Sequence, residues 1–392
     1  MPFGTRPKGI LFSQAVAHMK TMTLGAAAII FAALATSACG PSPALRAQES
    51  VIIGILAPLN SGVPAAAKSV VQGATLAAEE INASGGVGGA SITLSVQDDR
   101  GTADEAAKRF EHLVNQRIVA VVGPVTDATA LAVAPMAERA GIPLVSPGAT
   151  GTIPYSGSSF FRTSLSAEAQ ARTLADFLVR TRNTRRLAII HDANEYGTMV
   201  ALAFAERIKG LGGRVVGTRL YHDGDTDFTR HVTGVLADGA DAVFVAGYPD
   251  EGALIVAALK GRGVRVPIVG SDALYSADLV AWAKVYAEDV LLPAPFVAGD
   301  PLPVVQEFVA KYRRKFNEAP DHFAAQAYDA VKMLASTMRR GDRSPVAIKT
   351  ALQGLRKFPG VTGQITLDRW GVPARPVAVA RVHQGQFEII QR

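Results

Sequence analysis

Two strand-to-turn stretches lie close together in the chain: Val121-Val-Gly-Pro-Val-Thr-Asp-Ala-Thr129 and Pro143-Leu-Val-Ser-Pro-Gly-Ala-Thr-Gly151. Each begins with a short apolar run and stops abruptly at small and hydroxyl-bearing residues. At the carboxyl ends of strands in an α/β sheet, backbone N–H groups and hydroxyls face the place where ligands bind. Neither stretch contains a nucleophile with its base, a set of metal ligands or a phosphate loop. They therefore predict a site that holds a small polar molecule without transforming it.

The rest of the chain alternates short apolar runs with helical patterns. The predicted strands are 51–56, 92–96, 118–122, 142–145, 187–191, 214–220, 242–246 and 267–269. Helices are predicted at 69–82 and 103–115, and between most later strands. Buried β-branched runs that alternate with helices of ten or more residues indicate parallel sheets with crossover helices.

The alternating series occurs twice, with a break near residues 162–166, and this predicts two similar α/β lobes. The remaining chain has helical patterns at 303–316, 322–339 and 346–355, a hairpin-like stretch at 363–368, and strand patterns at 377–383 and 387–390. Such a tail can complete one lobe and then the other. We expect lobe 1 to comprise 51–165 and 293–360, and lobe 2 to comprise 166–292 and 361–392, with crossovers near 165, 293 and 360.

The composition fits a large globular protein and excludes several classes of function. The chain has 392 residues, enough for two domains, and 48% of them are hydrophobic. A single Cys excludes an intrachain disulfide and a cysteine-rich zinc site. The net charge of +6 falls to +3 when the three basic residues of 1–38 are left out, and no basic run with interleaved aromatics indicates nucleic acid. We find no hydrolase elbow, dinucleotide motif or metal-ligand spacing, and we expect no enzyme, metal or cofactor.

The N-terminus has the pattern of a secretory signal peptide, predicted to span residues 1–38. Met19-Lys20 precedes an apolar stretch at 24–35, and small residues follow it. Twelve apolar residues form a helix of about 18 Å, shorter than the roughly 30 Å core of a membrane. Met19 is a possible true start, because the signal is already complete from there.

Cys39, the only cysteine, follows Ser37-Ala38 where a bacterial lipoprotein carries its lipid. The motif resembles a lipobox, although Thr36 stands where Leu is usual. The alternatives are lipidation of Cys39 and ordinary cleavage near Ala38, and residues 39–50 would form a polar tether. Lipidation predicts a protein anchored at the outer face of the cytoplasmic membrane. Ordinary cleavage predicts a soluble protein secreted into the periplasm.

An ordered series of short motifs resembles the leucine/isoleucine/valine-binding family of periplasmic solute receptors. The motifs include Gly54-Ile-Leu-Ala-Pro-Leu-Asn-Ser-Gly62, Val122-Gly-Pro124, Gly141-Ile-Pro-Leu-Val-Ser-Pro147, Phe161-Arg-Thr163, Tyr196-Gly197, Gly247-Tyr248, Gly270-Ser-Asp272 and Ala327-Tyr-Asp-Ala330. The resemblance covers about residues 51–390. It implies a type I two-lobed fold with a three-crossover hinge, in which the lobes close on a ligand. It also implies a monomer that delivers an amino acid or analogue to an ABC permease.

The resemblance assigns ligand contacts to both predicted lobes. In this family the two turns bind the α-carboxylate and α-ammonium of the ligand, and the second lobe covers it. The matching positions here are Thr126, Asp127, Gly148, Ala149, Thr150, Tyr196, Tyr248 and Asp272, with Phe323 near the hinge. Each also has a purely structural interpretation: turn chemistry for Gly148 and Thr150, loop anchors for the tyrosines, an N-cap for Asp272 and a core position for Phe323.

Asp127 and Ala66 depart from the family pattern. The family usually has Ser at the position of Asp127, and an Asp there would repel a ligand carboxylate. Asp127 could instead cap the helix that starts at Ala128 and so fill the anion position itself, or Thr126 could supply the missing hydroxyl. Ala66 stands where a Tyr often walls the pocket in a loop, and it leaves more room.

Two functional hypotheses remain open at this point. The first is a solute-binding lipoprotein of an ABC importer for an amino acid or a similar small polar ligand. The second is a ligand-sensing or scaffold lipoprotein of the same fold with no role in transport.

Overall fold

The computed structural model describes residues 50–338 and 341–391. The predicted signal peptide, Cys39 and nearly all of the predicted tether lie outside the described residues. The strands are β1 (Ser50–Ala57), β2 (Ser91–Asp98), β3 (Ala120–Val122), β4 (Leu144–Ser146), β5 (Phe160–Arg162), β6 (Arg186–Asp192), β7 (Arg214–Tyr221), β8 (Ala242–Ala246), β9 (Ile268–Gly270), β10 (Leu291–Ala294), β11 (Phe358–Gly360), β12 (Gly363–Ile365), β13 (Ala378–His383) and β14 (Gln386–Gln391).

The α-helices connect these strands and fill the tail of the described chain. They are α1 (Pro64–Ala83), α2 (Ala103–Asn115), α3 (Asp127–Ala140), α4 (Ala167–Asp176), α5 (Glu195–Gly210), α6 (Thr229–Asp238), α7 (Pro249–Gly261), α8 (Ala277–Ala283), α9 (Pro303–Phe316), α10 (His322–Met338) and α11 (Pro345–Gln353). Local signals begin many of them: Thr102 caps α2 by accepting from the N–H of Glu105, and α1 starts at Pro64.

Two sheets organise the described residues into two lobes. The sheet of lobe 1 is entirely parallel, in the order β2-β1-β3-β4-β5. The sheet of lobe 2 has the order β14-β13-β10-β9-β8-β6-β7, with β6 to β10 parallel and β13 and β14 antiparallel at one edge. The predicted fold class, two α/β lobes with parallel-rich sheets, is confirmed.

Each sheet is covered on both faces by helices, which explains its apolar strands. In lobe 1, Ile53 and Ile55 of β1 pack in one cluster with residues of α1 and α10, and Val121 packs on the other face with α2 and α3. In lobe 2, Phe244 and Val243 point to opposite clusters in the same way. Strand β8 is buried along its whole length because both of its faces are covered.

The tail of the chain first completes lobe 1 and then joins lobe 2. Phe308 of α9 and Met333 of α10 lie in the core of lobe 1, whereas β13 and β14 extend the sheet of lobe 2. Ile365 and Leu367 are also buried in the lobe 1 cluster. The chain therefore leaves lobe 1 after the β11–β12 hairpin, later than the predicted crossover near 360.

One arginine joins the three segments that run between the lobes. Arg375 lies in the third segment, and its guanidinium donates to the carbonyl oxygens of Thr163 (3.3 Å) and Pro295 (2.9 Å) in the other two. It also donates to the carbonyl of Thr362. These bonds fix the crossovers side by side, so that the lobes share one narrow hinge.

Candidate functional site

The two turns that the sequence singles out lie in contact at the carboxyl ends of β3 and β4. The Ser146 hydroxyl donates to the carbonyl of Pro124 (2.6 Å) and accepts from the N–H of Ala149 (2.9 Å). A Cβ on Gly148 would lie only 2.2 Å from the carbonyl oxygen of Val125. A glycine is therefore required at position 148, because the backbones of the two turns approach so closely.

Asp127, on the first turn, binds the backbone of the second turn. One carboxylate oxygen, Oδ1, accepts from the N–H groups of Thr150 (2.8 Å) and Gly151 (3.0 Å). The other, Oδ2, lies 3.4 Å from the Thr150 hydroxyl. Asp127 is 2% exposed, so these bonds satisfy a carboxylate that is almost fully withdrawn from water.

The hypothesis that Asp127 caps helix α3 is wrong. Asp127 is the first residue of that helix, and Thr126 is its cap: the Thr126 hydroxyl lies 3.4 Å from the N–H of Thr129 and 2.8 Å from its hydroxyl. These contacts also occupy the Thr126 hydroxyl, the alternative donor to a ligand. The local preference of Asp for N-caps is overridden because the second turn, 23 residues away, offers it two N–H groups.

In lobe 2, Tyr196 and Asp272 form a buried pair. The Tyr196 hydroxyl donates to Asp272 Oδ1 (2.6 Å) and accepts from the N–H of Ala273 (3.2 Å). The Tyr248 ring stacks on that of Tyr196, with centroids 5.0 Å apart and planes inclined by 25°. Asp272 makes no side-chain cap, and α8 is capped by Ser276 instead, so the N-cap interpretation of Asp272 is wrong.

Residues of both lobes line one small cavity. They are Val63, Val125, Asp127, Gly148 and Phe323 from lobe 1, and Tyr196, Tyr248, Asp272 and Ala273 from lobe 2. The cavity measures about 10 Å³, room for about one water molecule, so the lobes stand closed on each other. Six of the nine predicted ligand contacts meet here, and Thr126, Ala149 and Thr150 lie beside it without lining it.

Three apolar lining residues were not predicted from the sequence. They are Val63, Val125 and Ala273, which lie in or next to polar turns. Only their position in the sequence beside the predicted site residues could have indicated that they line the cavity. Ala66 does not lie in a loop that walls the cavity. It lies in the first turn of α1, 8% exposed and packed in the core of lobe 1, and Val63 takes the wall position.

Comparison with known proteins gives this cavity its context. The family model described as "Periplasmic binding protein" matches residues 50–386. This chain belongs to that family. Like its relatives it is therefore a solute-binding protein rather than an enzyme, and the predicted family resemblance is confirmed.

Named relatives and solved structures cover most of this binding protein. It is 28% identical over 337 residues to "Leu/Ile/Val-binding protein homolog 3" of Brucella melitensis, which covers 85% of this chain and 91% of the relative. It is 30% identical to the branched-chain amino acid transporter substrate binding protein LivJ of Streptococcus pneumoniae, solved with isoleucine, with a TM-score of 0.81 over 88% of this chain and all of that one. The leucine binding protein LivK of Thermotoga maritima is 26% identical, with a TM-score of 0.80 over 86% and 97% of the two chains.

Burial shifts the acid–base properties of the groups in the cleft of this binding protein. Burial raises the pKa of Asp127, against the lowering effects of the Gly151 N–H and the positive charge of Arg162. Burial also raises the pKa of Asp272 to about 6, although the Tyr196 hydroxyl lowers it. The Tyr248 hydroxyl is held well above its ordinary pKa by burial and then by the charges of Asp127 and Asp192. Both carboxyl groups are thus costly to ionise in the closed, empty cleft.

Arg162 supports the second turn from behind. Its side chain is 2% exposed, and its guanidinium donates to the carbonyl oxygens of Gly151 (2.9 Å) and Ala149 (3.4 Å).

A larger cavity of about 990 Å³ lies beside the hinge. Arg162 also lines this cavity, together with other residues of the ranges 151–156, 162–173 and 368–377. None of the predicted ligand contacts lies in that larger cavity, so the small cavity between the lobes is the candidate site.

Two further kinds of feature, metal sites and membrane-spanning helices, are absent from the described residues. No group of three or more His, Cys, Asp or Glu in them could hold a metal ion. None of the helices that the structure describes is both long and apolar enough to cross a membrane.

Proposed function

We propose that this chain is the extracytoplasmic solute-binding protein of an ABC importer, and that it captures an amino acid or a similarly small polar molecule by closure of its two lobes. The observation that carries the proposal is the cavity between the lobes. It joins polar groups of the strand ends of lobe 1, Asp127 and Gly148, to a polar pair of lobe 2, Tyr196 and Asp272. Because the empty closed cavity has room for only about one water molecule, a ligand enters the open cleft, and the lobes then close around it less far than they do without it. The ligand touches both lobes and stabilises this closed form by its higher affinity for it.

The buried carboxyl groups give closure its dependence on a ligand. In the closed and empty cleft Asp127 and Asp272 lose their hydration, which disfavours that state. Opening at the hinge returns both groups to water, and a ligand that donates hydrogen bonds to them replaces that water on closure. The empty protein therefore favours the open form, and the ligand shifts the population towards the closed form.

The N-terminal pattern and the family support a proposal for the location and the partners. We propose that residues 1–38 direct export and are removed, and that a lipid on Cys39 attaches the protein to the outer face of the cytoplasmic membrane through the tether at 39–50. The closed form then docks on an ABC permease, as expected for a relative of a transporter substrate binding protein. A relative named for leucine, isoleucine and valine supports the proposal of an amino acid or a molecule of similar size as the ligand.

Thermal denaturation with candidate solutes tests this function. We expect one class among amino acids, amines, small amides and carboxylates to raise the melting temperature, because a ligand at a hundred times its Kd adds about 2.7 kcal/mol to the free energy of unfolding. For a chain of this size that gain corresponds to a shift of about 3–4 °C. If none of the solutes shifts the transition, the alternative of a scaffold without a transported ligand replaces this proposal.

A further inference from the structure

The anion-binding groups of the second turn are already occupied by the protein itself. Backbone N–H groups at the end of a strand are the donors with which such a turn holds an anion. Here the N–H groups of Thr150 and Gly151 both donate to Asp127. A ligand carboxylate would have to displace this buried side chain, or lie against its negative charge.

The lining of the cavity carries negative charge that no side chain of the lining balances. Asp127 and Asp272 supply two carboxyl groups, and no Lys, Arg or His is among the described residues that line it. Arg162 does not line the cavity: its guanidinium donates to backbone carbonyls of the second turn, and its positive charge acts on Asp127. His322, next to Phe323, is buried, and burial lowers its pKa to about 3, so it is neutral at pH 7.

Aromatic rings complete the walls of the cavity. The stacked rings of Tyr196 and Tyr248 form one wall, and Phe323 lines the cavity from lobe 1. Aromatic faces attract a cation, and the attraction grows when water is excluded. Val63 and Val125 add apolar surface that suits a hydrocarbon body.

We infer that the ligand is a small organic ammonium ion with an apolar body and without a carboxylate. The inference rests on the proposed solute-binding function and specifies its ligand. The ammonium donates to Asp272 and lies near Asp127, where it supplies the positive charge that the lining lacks. The apolar body packs on the tyrosine rings and on Phe323.

Three probes that share one hydrocarbon skeleton test the inference by calorimetric titration of the mature protein at pH 7.5. They are leucine, isoamylamine, which is leucine without its carboxylate, and isocaproate, which is leucine without its ammonium. We expect isoamylamine to bind at least about tenfold more tightly than leucine, a difference of about 1.4 kcal/mol, and isocaproate not to bind.

The outcomes separate this inference from the function on which it rests. Tighter binding of leucine than of isoamylamine would overturn the ammonium ligand and leave an amino-acid receptor in place. Absence of binding by all three probes, together with no thermal shift by any other solute, would overturn both. Asp272→Asn is expected to weaken isoamylamine about tenfold or more, whereas Glu206→Gln, which removes a charge from the exposed face of α5, is expected to leave it unchanged.

The pH dependence of binding gives a second readout. The titratable groups that face Asp272 are Tyr196, Tyr248 and Asp127, and both tyrosines stay neutral in this range because burial raises their pKa. Since the pKa of Asp272 in the empty closed cleft is raised to about 6, an acidic solution protonates it and removes the charge that holds the ammonium. In the open, unliganded cleft Asp272 is in water and its pKa lies near the ordinary value of about 4, so affinity for isoamylamine is expected to fall as the pH drops from about 6 to about 4. Affinity that is flat from about pH 7.5 to about pH 4 would contradict the role of Asp272.

Discussion

Asp127→Ser is expected to raise the affinity of the cleft for leucine about a hundredfold. The substitution removes a buried negative charge and frees the N–H groups of Thr150 and Gly151, which Asp127 occupies. Each freed donor contributes about 1.5 kcal/mol to a bound carboxylate, and the two together give about 3 kcal/mol. Titration calorimetry of the variant and the parent protein with leucine measures the change.

Asp127→Asn is the matched control for this prediction. The amide has nearly the same shape, removes the charge and keeps an oxygen that accepts from the second turn, so the N–H groups stay occupied. We expect it to gain little affinity for leucine. If Asp127→Ser also leaves leucine binding unchanged, the two N–H groups are not the anion site of the cleft.

Asp329→Ala is expected to lower the free energy of unfolding by about 3–5 kcal/mol. The Asp329 carboxylate is buried in α10 and accepts from the N–H groups of Val361 (2.8 Å) and Thr362 (2.9 Å) and from the Thr362 hydroxyl (2.6 Å). Alanine would leave three buried donors without a partner in the loop between β11 and β12. Urea denaturation followed by circular dichroism measures the loss.

Two control variants show whether this loss comes from the buried hydrogen bonds. Asp329→Asn keeps one acceptor oxygen and is expected to cost clearly less than alanine. Asp104→Ala removes an exposed carboxylate from the first turn of α2 and is expected to change stability by at most about 1 kcal/mol. Equal losses for Asp329→Ala and Asp104→Ala would show that the hairpin does not depend on Asp329.

The sequence predicted the long, strongly patterned elements well. The predicted helices at 103–115 and 303–316 and the strand at 242–246 coincide with α2, α9 and β8. The strands Phe160–Arg162 and Leu291–Ala294 were missed, because each is short and the second contains Pro293. Neighbouring strands hold them in place, and no local pattern marks them.

The positions of the candidate site residues were also predictable in large part. The ends of β3, β4 and β9 had to meet at the carboxyl edges of their sheets, which brought Asp127, Gly148 and Asp272 to the cleft. The roles of the two acidic residues were harder to predict. Local preference favours an N-cap for each, and the structure shows neither.

The sequence by itself determined two α/β lobes, the alternation of most of their strands and helices along the chain, and the turns that lie at the cleft. These follow from apolar periodicity and from residues close along the chain. Only the tertiary structure decided that Asp127 closes the second turn and that Tyr196 holds Asp272, 76 residues away. The physical reason is that a buried carboxylate takes whichever donors the fold brings within 3 Å or so, and a distant donor leaves no local pattern in the sequence.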